Sequence, residues 1–314
     1  MYSLVEMLKY KRPEGSKTQR LFCERFLEPH FGKPDVHGNY VLIIGDKPNI
    51  CFTAHHDTVH KEDGLQKLVI TNDIVSIADP KSSNCLGADC TTGVWILLEM
   101  IDNNIDGVYV VHAAEESGCR GSSNLILDNP SWLKDIDAVI SFDRYGDNSI
   151  ITHQMSSRTA SDEFAKSFST VLNMPQLVAD TYGSYTDSNE YADIVSECTN
   201  ISVGYYGQHG VNETQDLEFV NELVIHLVCA DWSQLVFKRD PSVVEWCDDY
   251  RNYYYGSGVS TSFYDDDYNY EDIKDLVLDY PEDIAKWLDD LGMTAPDIME
   301  QANIQDMNRL YKYM

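Results

Sequence analysis

VLIIGDKPNICFTAHHDTVH, residues 41–60, decides the fold. Two apolar runs, 41–44 and 50–54, flank a Gly-Asp-Lys-Pro-Asn turn, which predicts two strands joined by a tight connection. The second run has no polar alternation. It reads as a strand buried on both faces, the kind found inside parallel sheets. It ends in His55, His56 and Asp57, with His60 close behind, so three of the nine histidines sit where a buried strand reaches the surface. A strand-end His-x-Asp can hold a metal or be a plain turn; partners further along the chain decide between the two.

Outward from this stretch, strand-like and helix-like runs alternate to about residue 240. KTQRLFCERFL (17–27) has helical spacing with Ser16 as its cap, KLVITNDIVSIA (67–78) reads as a hairpin, and TTGVWILLEMI (91–101) as an apolar helix. GVYVVHAAE (107–115), DAVISFD (137–143) and TNISVGYYG (199–207) are strand-like. SDEFAKSFSTVL (161–172) opens with a capping signature, and LEFVNELVIHLVCADWSQLVF (217–237) is expected to be one long amphipathic helix. The expected class is α/β, with a mixed, mostly parallel central sheet flanked by helices on both faces and a small C-terminal helical appendage. In such sheets ligands bind beyond the carboxyl ends of the strands.

Composition shifts after Pro241. Residues 241–270 are expected to be a Tyr/Asp-rich linker and 271–314 a small acidic helical appendage, leaving 1–240 as the catalytic domain. From 241 onward there are 17 Asp/Glu against 5 Lys/Arg. The 314-residue chain carries a net charge of −29, which disfavours nucleic acid and anionic lipid as partners. No run approaches the roughly 18 apolar residues of a membrane span, and the amino terminus lacks the pattern of a secretory signal. Eight scattered cysteines, none in C-x-x-C, suit free thiols in a reducing compartment. The expected location is the cytoplasm.

The partners of His55 exist. CLGADCTTG (85–93) presents Asp89 just before a helix, and VVHAAEESG (110–118) ends a strand with Glu115 and Glu116. VISFDRYG (139–146) ends another with Asp143, and SVGYYGQHGVNE (202–213) carries His209. Imidazoles and carboxylates are ligands of a hydrolytic zinc site. Five are too many for one open zinc, which usually takes about three. A carboxylate such as Asp89 can bridge two cations, which leaves two terminal ligands for each. Such a pair can clamp a hydroxide and polarise a carbonyl.

The ordered set H-x-D, G-A-D, E-E-x-G, F-D, then His with Glu four residues on, resembles the di-zinc exopeptidase superfamily. That group includes bacterial leucyl aminopeptidases, peptidase T, glutamyl aminopeptidases and glutamate carboxypeptidases. DVHGNYV (35–41) and TDSNEY (186–191) are also similar to segments of the group. Aminopeptidases are among the source cases of the two-metal spacing, about 3.5–4 Å, so that spacing belongs to the resemblance. The resemblance implies His55 and Asp143 on one zinc, Glu116 and His209 on the other, and Asp89 bridging. It implies Glu115 as general base and acid, and Asp57 hydrogen-bonding the His55 imidazole. It also implies a cis peptide at Asp89–Cys90. Many relatives have a second Asp where this chain has Cys90. Cobalt or manganese could replace zinc.

Asp143 precedes His209 by 66 residues, too few for a lid domain, and 34 residues separate His55 from Asp89, which a hairpin fills. The compact, lidless aminopeptidase branch, including phage and bacterial members, is the one implied. The function expected is aminopeptidase action on short peptides. Rival readings are an amidohydrolase or deacylase acting on acylated amino acids, γ-glutamyl or cell-wall amides, and a non-catalytic binding protein. An acyl-transferring cyclase would have no need of His55. His56 and His60 need no role of their own, and His112 reads as a core histidine. His153 follows a strand and could touch substrate. Arg144 reads equally as a receiver for a substrate carboxylate or as a local counter-charge. Tyr205 and Tyr206 offer an oxyanion donor or plain packing.

Overall fold

The computed structural model describes residues 2–245 and Pro281. The expected appendage, and all but the first five residues of the expected linker, lie outside the described residues. The main elements are α1 (Lys17–Phe22), β1 (Tyr40–Ile44), β2 (Ile50–His55), β3 (Leu68–Thr71), β4 (Ile74–Ile77), α2 (Ala88–Asp102), β5 (Gly107–His112), α3 (Arg120–Asp128), β6 (Ala138–Arg144) and β7 (Ser149–Ile151). They continue with α4 (Asp162–Val171), β8 (Val178–Asp180), β9 (Glu197–Ser202), β10 (Tyr205–Tyr206), β11 (Thr214–Asp216) and α5 (Leu217–Cys229).

Seven strands form the central sheet in the order β8-β7-β9-β6-β2-β5-β1. β9, β6, β2 and β5 run parallel, as do β8 and β7, while β1 is antiparallel to β5 and β7 to β9. Burial explains this order. β2, β5 and β9 are buried at every residue, so they occupy the interior of the sheet. β1 alternates, with Val41 and Ile43 exposed, and takes the edge. The predicted hairpin β3–β4 forms, and joins β11 and β10 in a separate four-stranded antiparallel sheet.

Alternate residues of each central strand face opposite sides. Phe52, Tyr109, Val111, Ile140 and Phe142 pack with Val94 and Leu97 of α2, Phe164 of α4 and Leu223 of α5. Cys51, Val108, Val110 and Val139 pack against Leu133, Tyr191 and Val195 on the other face. Each fully buried large apolar side chain contributes about 1.5–3 kcal/mol. α2 lies against β6 because position 93 is glycine: a Cβ there would stand 2.1 Å from the Phe142 carbonyl oxygen and 2.5 Å from Cys90 Sγ.

The last helix is shorter than its pattern predicts. α5 stops at Cys229, Ala230 turns extended, and Asp231 accepts from Ser233 N to start a separate turn over Trp232–Gln234. The backbone N–H of Val236 then donates to Ser167 Oγ on α4. A local cap and a tertiary bond interrupt a period that hydrophobicity alone continued. Of the seven described cysteines, all unpaired, six are buried and Cys229 is exposed. No helix among the described residues is long and apolar enough to cross a membrane.

Candidate metal centre

The parallel strands deliver their last residues to one edge. His55 ends β2, Asp143 is the penultimate residue of β6, and Glu115 and Glu116 follow β5 after a short turn. Asp89 sits in the first turn of α2 and His209 on the loop after β10. These segments are far apart in sequence, yet the side chains meet. His55 Nε2 lies 3.2 Å from Asp89 Oδ1, 3.3 Å from Asp143 Oδ1 and 3.7 Å from Glu115 Oε2. His209 Nε2 lies 3.1 Å from Asp89 Oδ2 and 3.3 Å from Glu116 Oε2. Asp89 therefore turns one oxygen to each imidazole. The Asp89–Cys90 peptide is cis.

His55 Nδ1 is 3.2 Å from the Asp57 carbonyl oxygen, an acceptor only, so this nitrogen carries the proton. Its Nε2 then faces the carboxylates of Asp89, Asp143 and Glu115, an arrangement that suits a cation among them. Asp143 Oδ1 and Glu116 Oε1 are buried and have no hydrogen-bond partner. The donor set thus fits divalent cations: imidazole nitrogens, carboxylates and orphaned oxygens in one pocket. His55 with Asp89 and Glu116 forms one compact candidate ligand group, and His55 with Cys90 and Asp143 another. Cys90, expected only as a substitution in the surroundings, therefore comes within ligand range, while its Sγ donates to the Phe142 carbonyl oxygen at 3.2 Å.

The electrostatics agree with this donor set. Burial pushes the carboxyls of Glu116 and Asp143 up, and Glu115 well above the usual range. Burial works against Asp89 too, but hydrogen bonds from His209 and His55 hold it well below that range. The same contacts, with Asp89 first, raise His209 to about 11. Burial opposes charge on His55, but its carboxylate neighbours, Asp143 first, keep its pKa well above the usual value. A cation's charge placed here would pull the raised carboxyls back down.

Surrounding groups fix these side chains. The Asp57 carboxylate is 3.5 Å from His55 Nδ1 and accepts the backbone N–H groups of Glu115 and Glu116 at 3.2 and 3.1 Å. It therefore anchors the glutamate pair as well as facing the imidazole. Thr186 Oγ1 donates to Asp143 Oδ2 at 2.8 Å. Asp187 beside it is buried, accepts from Ser122 Oγ, and is pushed by burial to about 8.

Sequence reasoning passed over Glu213, noting it only as an acid four residues after His209. It is buried and accepts the backbone N–H groups of Leu86, Gly87, Ala88 and Asp89 at 2.8–3.2 Å. α2 has no cap of its own, since Gly87 precedes it in a left-handed conformation. Glu213 supplies that cap from a distant segment and so fixes the backbone that carries Asp89.

Other candidates fall away from the centre. His56 is held by Gln19 Nε2 and the Gly38 carbonyl oxygen, and His60 by Thr58 Oγ1. His112 is a core histidine between Asn39 and Tyr191, and His153 is buried beside Thr152 Oγ1. The Tyr205 phenol is buried and donates to the Asp143 carbonyl oxygen, which favours packing over an oxyanion role. The cleft over the centre has a volume of about 580 Å³; its walls include Arg144, Tyr145, Tyr182 and Tyr185.

In fold and in the make-up of this cleft the chain is similar to metallo-exopeptidases. The particular likeness is to Peptidase family M28, whose family model matches residues 39–193. Among solved structures, aminopeptidase PepT from Bacillus cereus superposes with a TM-score of 0.58 at 13% identity, covering 72% of this chain and 95% of its own. A tripeptidase from Staphylococcus aureus gives 0.57 at 14%, with 72% and 95% covered. The TET1 peptidase of Pyrococcus horikoshii, which can assemble into a tetrahedron or a large octahedral shell, gives 0.54 at 18%, with 72% and 98% covered. At these identities the likeness is one of fold. Comparison with curated proteins returns no match.

Proposed function

We propose that residues 1–240 form a two-cation hydrolase that removes residues from the free amino terminus of short peptides. The observation that carries this reading is the division of Asp89, Oδ1 toward His55 and Oδ2 toward His209. Zinc suits this donor set, with cobalt or manganese as substitutes. His55 and Asp143 would hold one ion, His209 and Glu116 the other, and Asp89 both. Such a pair supplies Lewis acidity toward the carbonyl and lowers the pKa of water.

Glu115 takes the proton of the attacking water at its carboxylate and returns it to the leaving amine. Its place is set by Asp57, which holds its backbone N–H, and its carboxylate stands 3.7 Å from His55 Nε2. The burial that pushes its pKa up, helped by the neighbouring Asp143 and Asp187 carboxylates, makes it a stronger base once ionised. The acid-lined end of the cleft suits the substrate's ammonium group, and the fold likeness to aminopeptidases and a tripeptidase supports amino-terminal cleavage. The seven described cysteines, all unpaired, support a cytoplasmic location.

The test pairs metal analysis of the purified chain with hydrolysis of dipeptides and amino-acid anilides, with and without chelator. Glu115→Gln should keep its cations and lose about 10²–10⁴-fold in kcat. Turnover retained by that variant would remove the proposed base. Cation-loaded protein inert on every peptide would overturn the aminopeptidase reading, and cleavage of N-acyl amino acids in its place would make the enzyme an amidohydrolase.

A further inference from the structure

We propose that Arg144 receives a substrate carboxylate, so that the cleft favours short peptides with an anionic group beyond the scissile bond. The proposal rests on the peptidase reading above and adds the substrate class to it. Arg144 is the last residue of β6, next to Asp143, and lines the same cleft as Asp89, Glu115 and Glu116. Four carboxylates thus face this space in a chain of net charge −29, and Arg144 is the only lysine or arginine among the described residues lining it. With the four carboxylates and His209 engaged at the metal centre, this guanidinium is the cationic side chain left to meet an anionic substrate group elsewhere in the cleft.

The guanidinium is held rigidly but incompletely used. Its side chain is 8% exposed. It stacks over the Tyr145 ring with 4.2 Å from Cζ to the ring centroid. Its hydrogen bonds among the described residues all run through Nη2: to the Tyr182 carbonyl oxygen at 2.9 Å, and to Tyr145 Oη and Asp180 Oδ2 at 3.4 Å. Nε is buried with no partner. Asp180 pairs with it only loosely, at 3.4 Å, and is oriented instead by closer bonds from Ser149 Oγ at 2.7 Å and the Tyr182 N–H at 2.8 Å. A buried arginine with a loose ion pair and idle donors is poised for a planar two-oxygen acceptor. Tyr145, Tyr182, Tyr185 and Met155 are each partly exposed on the same cleft and give it a mostly aromatic wall around that charge.

The carboxylate could be the carboxyl terminus of a dipeptide or the side chain of an acidic second residue. Calorimetry on the full-length, zinc-loaded Glu115→Gln protein separates the two without turnover. Leu-Leu is compared with Leu-Leu-amide, and Leu-Glu-amide with Leu-Gln-amide. The carboxylate member should bind about tenfold tighter or more in the first pair if the terminus is read, in the second if the side chain is. Adding Arg144→Met should erase that preference, and Arg144→Lys, which keeps the charge without the fork, should retain part of it. Equal binding within about twofold in both pairs overturns the proposal, as does a preference that survives Arg144→Met. Should the methionine variant fail to fold, the acid–amide comparison and the lysine variant still decide. Carboxylate preference in a parent chain that hydrolyses nothing would overturn the peptidase reading alone; hydrolysis without preference would overturn this proposal alone.

Discussion

Replacing Glu213 by glutamine changes one atom at the start of α2, and its cost follows from the bonds around it. Oε1 accepts from Ala88 N and Asp89 N; Oε2 accepts from Leu86 N and Gly87 N. Glutamine keeps one accepting oxygen and turns an NH₂ group toward the other pair. Two buried N–H donors lose their acceptor, each at about 1–3 kcal/mol. The negative charge at the helix start, worth about 0.3–1 kcal/mol in ordinary settings, goes as well. Burial already pushes Glu213 to about 7, so part of its charge is absent at neutral pH and the sum belongs toward the lower end. Glu213→Gln should therefore lose about 2–5 kcal/mol, or roughly 4–15 °C in Tm. Because this backbone positions Asp89, cation affinity should fall about 10–100-fold, as for other groups that orient ligands. Thermal and urea denaturation of the chelated protein give the first quantity, and competition with a chromophoric chelator the second. A variant that melts within about 1 °C of the parent and holds its cations equally well would refute the capping argument.

Gly93→Ala should cost about 3 kcal/mol or more, because its Cβ would meet the Phe142 carbonyl and Cys90 Sγ, read as a lowered urea midpoint. His60 is held neutral in the fold by burial, then by Arg12, with its pKa near 3. The unfolded chain takes up a proton at this residue near pH 6.5 while the native state does not, so His60 lowers stability as pH falls from about 6.5 toward 3. His60→Asn should remove that loss: relative to the parent it gains about 1.4 kcal/mol per pH unit below 6.5, and a pH-independent difference would contradict the assignment.

Much of this architecture could be read from the chain because each central strand is buried on both sides and ends in a polar cluster. The unbroken apolar runs at 50–54 and 107–111 left no exposed face, and His55, Asp143 and the glutamate pair marked where those strands emerge. Asp89 was legible for a different reason: it stands just before an apolar helix and belongs to the ordered set of strand-end acids and histidines. What escaped notice is tertiary. Glu213 lies 124 residues beyond Asp89, and no local period ties a cap to so remote a helix. The end of α5 was overrun because Trp232, Leu235 and Val236 keep the apolar rhythm while Asp231 starts a new turn. The surroundings of Arg144 depended on Asp180 and Tyr182, which nothing in the sequence placed beside it.

The remote cap also bears on how the chain can be made. During synthesis, residues 88–102 leave the ribosome well before residue 213 exists, so the most deeply buried helix must wait with its opening amides unsatisfied. Long separations of this kind slow the search for the native state. A nascent chain stalled ahead of Glu213 would have its central strands in hand and the beginning of that helix still loose, which makes this unit one that completes itself late and from its far end.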